Sequence, residues 1–315
     1  MNTPGNTDPC SPLTPTIFLF AYSNDLNSSI VTNALDYFVN SPSAHYPLQA
    51  TFRFDTQPGG EVQWTYSWSD FNTTVRATLP DPSLSFTSNS TGSDLFHTLY
   101  TFLEFSNTLC GGRAVILVKR YPNEVDVSYY TSFFRQNHFS ISFLVSSSPS
   151  GGNHPETLYN LASKTNGLCA YSVDSRMMES LYGLPTVFYP YQVYAVNPEV
   201  SDEGVITLPP LSVFTDGYQK YLFTMTVTDN GTARDVERAL LGWLSVQGGG
   251  QLGDDGVYTD GDYVGNKISK TEGLLKTMYD MTYDYTYFDR KEKRVQIRIH
   301  GKNSTGISTF PPFDN

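Results

Sequence analysis

Hydrophobic side chains recur with two different periods along this chain of 315 residues. In its first part, residues 16–21 (TIFLFA) and 114–119 (AVILVK) form almost uninterrupted apolar runs, whereas residues 26–39 and 93–105 place apolar side chains three or four positions apart. The runs are typical of strands buried on both faces, and the spaced segments of amphipathic helices. By the same criteria, further helices are predicted at 125–136 and 155–165, and further strands at 138–146 and 168–173.

This alternation predicts a doubly wound, Rossmann-like α/β sheet over residues 16–183, after an extended lead-in at residues 1–15. Two alternating segments at residues 50–55 and 61–68 are joined by Gln-Pro-Gly-Gly. They predict a hairpin that adds one antiparallel strand at the sheet edge.

From residue 184 onward, hydrophobic side chains recur at every second residue. Residues 221–227 and 295–299 alternate apolar and other side chains, and turn-forming residues are frequent. This pattern predicts an antiparallel β-sandwich domain over residues 184–315. Residues 234–243 are the exception and fit either a short helix or an irregular loop.

The charge balance excludes one class of partner. The chain has 31 Asp and Glu against 20 Lys and Arg, a formal net charge of −11, so it lacks the positive field that nucleic acids require. No apolar run approaches the ~18 residues of a membrane span, so we expect no membrane insertion by this segment.

A surface rich in Tyr, Ser, Thr and Asn and poor in Lys favours an extracellular or cell-surface location. The first residues lack the pattern of a signal peptide, so this location requires a targeting or anchoring segment outside the sequence; a cytosolic chain is the alternative. Five Asn-x-Ser/Thr motifs are candidate glycosylation sites, although chance alone would give about as many. They lie at Asn27, Asn72, Asn89, Asn230 and Asn303.

Sequence motifs of common enzymes are missing. The chain contains no GxSxG, GxGxxG, GxxxxGK[ST] or HExxH, and its five histidines are isolated in the sequence. We therefore expect neither catalysis nor a cofactor. A hydrolase without these motifs would need a pocket with a perturbed histidine or carboxylate.

Four segments resemble, in the expected order, elements of a von Willebrand factor A-type domain: TIFLFAYSNDL, TGSDLFHTL, AVILVKRYPNE and LASKTNGL. That family often binds Mg²⁺ at the carboxyl ends of its strands through Asp-x-Ser-x-Ser, a Thr and an Asp. Here the first Asp corresponds to Ala21, the Thr to Ser93 and the last Asp to Arg120. The resemblance therefore implies a degenerate site that holds no metal.

At this degenerate site, Asp25 and Arg120 either pair with each other or are both solvated. The resemblance places a candidate ligand surface on the same loops, since ligands of open α/β sheets gather at the carboxyl ends of the strands. Its residues are Ser23, Asn24, Asp25, Ser93, Asp94, Lys119, Arg120 and Tyr121.

The resemblance also bears on the cysteines. In the A-type fold the first and fourth strands are neighbours, and Cys10 and Cys110 precede those strands. This implies a Cys10–Cys110 disulfide with Cys169 buried; the alternative is that all three are reduced. An A-type domain followed by a sandwich is also similar to a family of nematode extracellular proteins of unknown activity.

Two segments of the sandwich hold further candidates. The loop at residues 252–262 carries a weak Ca²⁺ candidate, although acidic turns that cap hairpins are the favoured explanation of its carboxylates. Its carboxylates are Asp254, Asp255, Asp260 and Asp262. Residues 279–288 are rich in Tyr and predict either a binding surface or a strand whose aromatic rings face the core. The basic residues 290–294 are expected to form a solvated turn.

Two functional hypotheses follow. The first is an extracellular, non-catalytic binding or adhesion module that recognises a protein or glycan through the loops at the carboxyl ends of the strands. The second is a structural scaffold protein of an extracellular matrix or surface coat, with the Tyr-rich sandwich as its contact face.

Overall fold

A computed structural model describes residues 10–104, 110–227, 236–254 and 266–314. Its first half is an α/β sheet with helices on both faces, and its second half is a sandwich of two antiparallel four-stranded sheets. The predicted fold class is confirmed. Within the described residues, no helix is long and apolar enough to cross a membrane.

The strands of the α/β half follow the order β3-β2-β1-β4-β5-β6, parallel except for the antiparallel edge strand β3. Their bounds are β1 Ile17–Ser23, β2 Leu48–Phe54, β3 Gln63–Thr65, β4 Arg113–Val118, β5 Ser140–Ser146 and β6 Cys169–Ser172. The helices are α1 Ser28–Val39, α2 Trp68–Ala77, α3 Leu95–Glu104, α4 Ser128–Gln136, α5 Pro155–Lys164 and α6 Met177–Tyr182.

Strand β1 lies at the centre of the sheet and is buried along its whole length. Alternate side chains enter two separate cores, because successive residues of a strand point to opposite faces. Leu19 packs in the core beneath α3, α4 and α5, whereas Phe20 packs in the core beneath α1, α2 and α6. The continuous apolar run is explained by this burial on both faces.

The strand predicted at residues 61–68 is too long. Only Gln63–Thr65 pairs with β2, and helix α2 begins at Trp68. Ser67 caps this helix by accepting a hydrogen bond from the amide of Asp70, and Phe71 and Val75 bury one helical face. The alternating aromatic residues around the cap therefore produce the sequence pattern of a longer strand than the structure contains.

The sandwich strands form two sheets, ordered β13-β10-β16-β7 and β12-β11-β14-β9, with a small β15-β8 pair beside them. Their bounds are β7 Tyr191–Val196, β8 Glu199–Val200, β9 Glu203–Ser212, β10 Gln219–Thr226, β11 Val236–Ser245, β12 Gly248–Asp254, β13 Lys267–Leu274, β14 Met278–Tyr287, β15 Lys293–Arg294 and β16 Gln296–Gly301.

Two sequence interpretations in this half are settled by the strands. Residues 236–245 form β11, so neither a helix nor a loop is correct there; a bulge between Val236 and Arg238 interrupts the alternation and hides the strand. Strand β14 directs its tyrosines into the core, with Tyr283 fully buried, so the Tyr-rich segment is a core strand. In the basic segment, Lys293 is buried beside Asp289.

The two halves share a polar interface. Strand β16 turns Ile297 and Ile299 into the sandwich core, while Gln296, Arg298 and His300 on its other face are buried as well. The Gln296 amide donates to the backbone oxygen of Tyr159 at 3.1 Å and to Ser163 Oγ at 2.8 Å in α5. The polar alternate face is therefore a contact between domains.

A disulfide joins Cys10 to Cys110, whose Cα atoms are 5.4 Å apart and whose sequence separation is 100. Cys169 is a free, buried thiol whose pKa is raised by burial.

Candidate functional site

The carboxyl ends of β1, β2 and β4 meet at one edge of the α/β sheet. Strand β1 leads into Ser23 and Asp25, β2 ends immediately before Asp55, and β4 is followed by Lys119 and Arg120. These strands are parallel neighbours, so their ends fall side by side. The edge defined by these residues is called the loop edge below.

A buried ion pair lies at the centre of the loop edge. Arg120 Nε lies 2.9 Å from Asp25 Oδ2, and the two side chains are only 3% and 6% exposed. Ser150 Oγ donates to the same carboxylate oxygen at 2.5 Å. Of the two alternatives for Asp25 and Arg120, the structure shows the pair.

The remaining donors of Arg120 hold the covering loop. Nη1 donates to the backbone oxygens of Ser88 and Thr91, both at 2.8 Å, and Nη2 donates to the backbone oxygen of Phe86 at 3.4 Å. The guanidinium carbon also lies 5.4 Å from the centre of the Phe86 ring. One side-chain cation therefore connects the ends of β1 and β4 to the loop at residues 86–91.

Asp55 is a second buried carboxylate of the loop edge, and sequence reasoning missed it. Its Oδ2 accepts a hydrogen bond from Ser23 Oγ at 2.5 Å, and its Oδ1 accepts from Ser93 Oγ at 2.7 Å. Asp55 N in turn donates to Asp94 Oδ1 at 2.6 Å. The A-type resemblance places Ser23 and Ser93 at metal-ligand positions, but here both hydroxyls donate to the Asp55 carboxylate.

Local backbone conformation and burial explain the state of Asp55. Its φ of +61° lies in the left-handed region, where Asp is among the tolerated residues, and it turns the chain out of β2. Burial raises the pKa of this carboxyl to about 7, although its hydrogen bonds from Ser23 and Ser93 act in the opposite direction. An acidic residue directly after a buried strand was the available sequence signal.

Lys119 belongs to a neighbouring group that ties β4, β5 and the chain after β6 together. Its Nζ lies 2.6 Å from Asp174 Oδ2, and Ser146 Oγ donates to Asp174 Oδ1 at 2.5 Å. Tyr121 donates its hydroxyl to the backbone oxygen of Ser146 at 2.9 Å, and burial raises the pKa of this tyrosine to about 12. Ser146 is fully buried, so this Ser–Lys–Asp arrangement has a structural role rather than that of an accessible nucleophile.

The predicted ligand-surface residues are therefore brought together, but mostly beneath the surface. Ser23, Asn24, Ser93 and Arg120 are all at most 3% exposed. Asn24 is used internally as well, since its amide donates to the backbone oxygen of Asp81 at 2.9 Å. The partly exposed members are Asp94, Lys119 and Tyr121, whereas the Asp25 side chain is only 6% exposed.

The other candidates are only partly described. Asn27, Asn89 and Asn303 are exposed and Asn72 is half-buried, whereas Asn230 lies outside the described residues. Asn89 lies in the loop that covers Arg120, and Asn27 caps α1. Of the weak Ca²⁺ candidate, only the backbone of Asp254 is described, and the remaining members, Asp255, Asp260 and Asp262, lie outside the described residues.

Part of the chain matches a described protein family. Residues 196–302 match a family described as Domain of unknown function (DUF7154). No protein with a curated description is significantly similar in sequence.

Solved structures similar in fold include proximal thread matrix protein 1 from the mussel byssus, described with a zinc-occupied MIDAS motif. It is 12% identical, with a TM-score of 0.38, and the similarity covers 55% of this chain and 45% of the mussel chain. The chain therefore spans less than half the length of that protein.

Two further structures match parts of the chain. An aerotolerance-related membrane protein from Bacteroides fragilis is 8% identical over 54% of this chain and all of its own, with a TM-score of 0.34. A carbohydrate-binding module of Cellvibrio mixtus lichenase 5A is 11% identical over 37% of this chain and 93% of its own, with a TM-score of 0.21. Sequence identities and TM-scores this low show no function for the chain.

Proposed function

We propose that the chain is an extracellular, non-catalytic binding or adhesion module that recognises a protein or glycan through the loop edge without a metal ion. The observation that carries this proposal is the buried Asp25–Arg120 pair. The guanidinium connects the strand ends and the covering loop by contacts that a bound cation would otherwise have to supply.

The chemistry of the loop edge disfavours Mg²⁺. This ion requires near-octahedral oxygen ligands, usually including one or two free carboxylates. Here Asp25 is paired with Arg120, and Asp55 accepts the hydroxyl hydrogens of Ser23 and Ser93. A buried guanidinium at the same place also repels a divalent cation. The loops are therefore held by the chain's own residues.

The surface above this buried pair is made of short polar side chains. Thr87, Ser88, Asn89, Asn123 and Ser147 are exposed there. Such side chains form adaptable hydrogen bonds, and loops that are already ordered lose less entropy when a partner binds. This combination favours recognition of a protein or glycan surface.

The disulfide supports the extracellular part of the proposal, because disulfides persist in oxidising compartments and are rare in the cytosol. The scaffold alternative requires the Tyr-rich segment of the sandwich to be an exposed contact face. Tyr279, Tyr283, Tyr285 and Tyr287 are at most 7% exposed in the sandwich core, so they cannot form an external surface.

The proposal is tested by binding to an array of neutral, sialylated and sulfated glycans and to a panel of extracellular-matrix proteins, all in EDTA. We expect binding in EDTA, and we expect the Thr87→Arg and Ser147→Arg substitutions on the loop edge to abolish it by steric exclusion. Thr207→Arg, at an exposed position of the sandwich, is the matched control.

Two results would contradict this function. One is binding that appears only when Mg²⁺ or Ca²⁺ is added. The other is binding that the loop-edge substitutions leave unchanged, or that the Thr207→Arg control weakens equally. Thermal unfolding of each variant verifies that the substitutions leave the fold intact.

A further inference from the structure

Two exposed aromatic rings lie side by side where α3 meets α4. Tyr100 of α3 is 41% exposed and Tyr129 of α4 is 52% exposed. Their ring centres are 5.6 Å apart and their planes differ by 34°. We call the surface formed by Tyr100, Tyr129 and the adjoining Tyr130 the tyrosine face.

The rings of the tyrosine face are held in place from below. Tyr130 packs edge-on against Tyr129 at 5.4 Å and contacts Phe96 at 5.0 Å. The Tyr130 hydroxyl donates to the backbone oxygen of Phe96 at 2.8 Å, which fixes α4 against α3. A rigid aromatic platform therefore faces solvent, and such a surface can bind a partner at low entropic cost.

Two carboxylates lie beside this platform. Glu104 follows Tyr100 by four residues, on the same face of α3. Glu124 lies close enough to Tyr130 to affect it electrostatically. Helices α3 and α4 and the residues that lead into them, 94–104 and 121–136, contain four acids and one basic residue, Arg135 at the end of α4. The acids are Asp94, Glu104, Glu124 and Asp126.

We propose that the tyrosine face binds a positively charged segment of a partner protein, with Arg or Lys side chains lying over Tyr100 and Tyr129 and their charges directed toward Glu104 and Glu124. The face of an aromatic ring attracts a cation, and the guanidinium group stacks on it particularly well. Carboxylates at the rim add attraction and exclude acidic partners. This charge complementarity favours a basic peptide over a neutral glycan or an apolar surface.

This site is separate from the loop edge of the proposed function, since its side chains come from the outer faces of two helices. The two proposals can therefore fail independently. A chain that binds glycans through the loop edge keeps that binding when the tyrosine face is changed.

The test uses a fluorescein-labelled octa-arginine peptide as probe, with an oligoglutamate peptide as the negative control. Binding is followed by fluorescence anisotropy at physiological salt. Replacing both rings by alanine, Tyr100→Ala with Tyr129→Ala, is expected to weaken binding about five- to thirtyfold. The Tyr100→Phe and Tyr129→Phe double variant is expected to retain most of the affinity, because it keeps both rings.

A matched control separates ring recognition from general attraction to an acidic chain. Tyr66 is 81% exposed elsewhere in the α/β half, so Tyr66→Ala should leave the affinity unchanged. Glu104→Gln should weaken binding, and added salt should weaken it further. Equal affinities of the native chain, the double alanine variant and Tyr66→Ala would overturn the proposal, as would a comparable affinity for oligoglutamate.

Discussion

Replacing Arg120 by methionine, Arg120→Met, removes the buried cation while keeping a long side chain. Asp25 then loses its ion-pair partner, and the backbone oxygens of Ser88 and Thr91 lose their donor. We expect a large loss of stability, because a buried carboxylate without a counter-charge is costly.

The burial of both side chains sets the expected magnitude. Arg120 and Asp25 are 3% and 6% exposed, and removal of one partner from such a pair costs about 3–5 kcal/mol. The lost hydrogen bonds to Ser88 and Thr91 add less, because these residues lie in an exposed loop where water can reach their backbone oxygens.

The matched control is Arg76→Met. Arg76 is ion-paired with Asp36, but these side chains are 41% and 45% exposed, so the control should cost less than about 1 kcal/mol. The assay is urea unfolding at neutral pH, followed by the circular dichroism of the helices. In the described residues, all α-helices lie in the α/β half.

A second variant distinguishes the loss of stability caused by the unpaired charge from a loss caused by altered packing. Adding Asp25→Asn to Arg120→Met removes the orphaned charge, and we expect it to recover about 1–2 kcal/mol. The reasoning is refuted if Arg120→Met costs no more than Arg76→Met. It is also refuted if Asp25→Asn makes the Arg120→Met chain less stable still.

Three further predictions concern the disulfide and two titrating groups. Replacing Cys10 and Cys110 together by serine should cost about 4 kcal/mol in urea unfolding, because the bond closes a long loop; no change would contradict this. Burial and two nearby arginines lower the pKa of His300, so the contribution of this group to stability should fall as pH drops below about 6.5, and His300→Phe should remove that contribution from the pH slope. The contribution of Asp55 has the opposite sign, because its pKa is raised to about 7: it should decrease from about pH 4 to pH 7, and Asp55→Asn should remove it from the pH slope. Unfolding measured across pH on each variant checks both slopes, and unchanged slopes would contradict them.

Features that depend on the neighbourhood of parallel strands were predictable from the sequence. The apolar runs predicted the central strands, and the A-type resemblance implied that β1 and β4 are neighbours, as the structure shows. A pairing of Asp25 with Arg120 was one of the two alternatives that this adjacency allows, and the structure shows the two side chains paired. The A-type resemblance likewise implied the Cys10–Cys110 disulfide that the structure contains.

Other features depend on information that periodicity does not carry. Asp55 follows a strand predicted as part of a hairpin, and only the three-dimensional sheet brings it to Ser23 and Ser93. The alternate side chains of β16, such as Gln296 and Arg298, are polar, a pattern that does not distinguish a face in solvent from a polar face buried between domains. These side chains are buried against the α/β half, where Gln296 donates to Tyr159 and Ser163, and Arg298 Nη2 donates to the backbone oxygen of Ser163 at 3.5 Å.

The central claim is that the loop edge is held by Arg120 instead of a metal ion. It is tested most directly by thermal unfolding of the protein in EDTA and in Mg²⁺, since a ligand that binds only the folded state at 100 times its Kd adds about 2.7 kcal/mol of stability. We predict the same Tm in both conditions. A Tm that rises with Mg²⁺, and no longer rises in the Asp25→Ala variant, would contradict the claim.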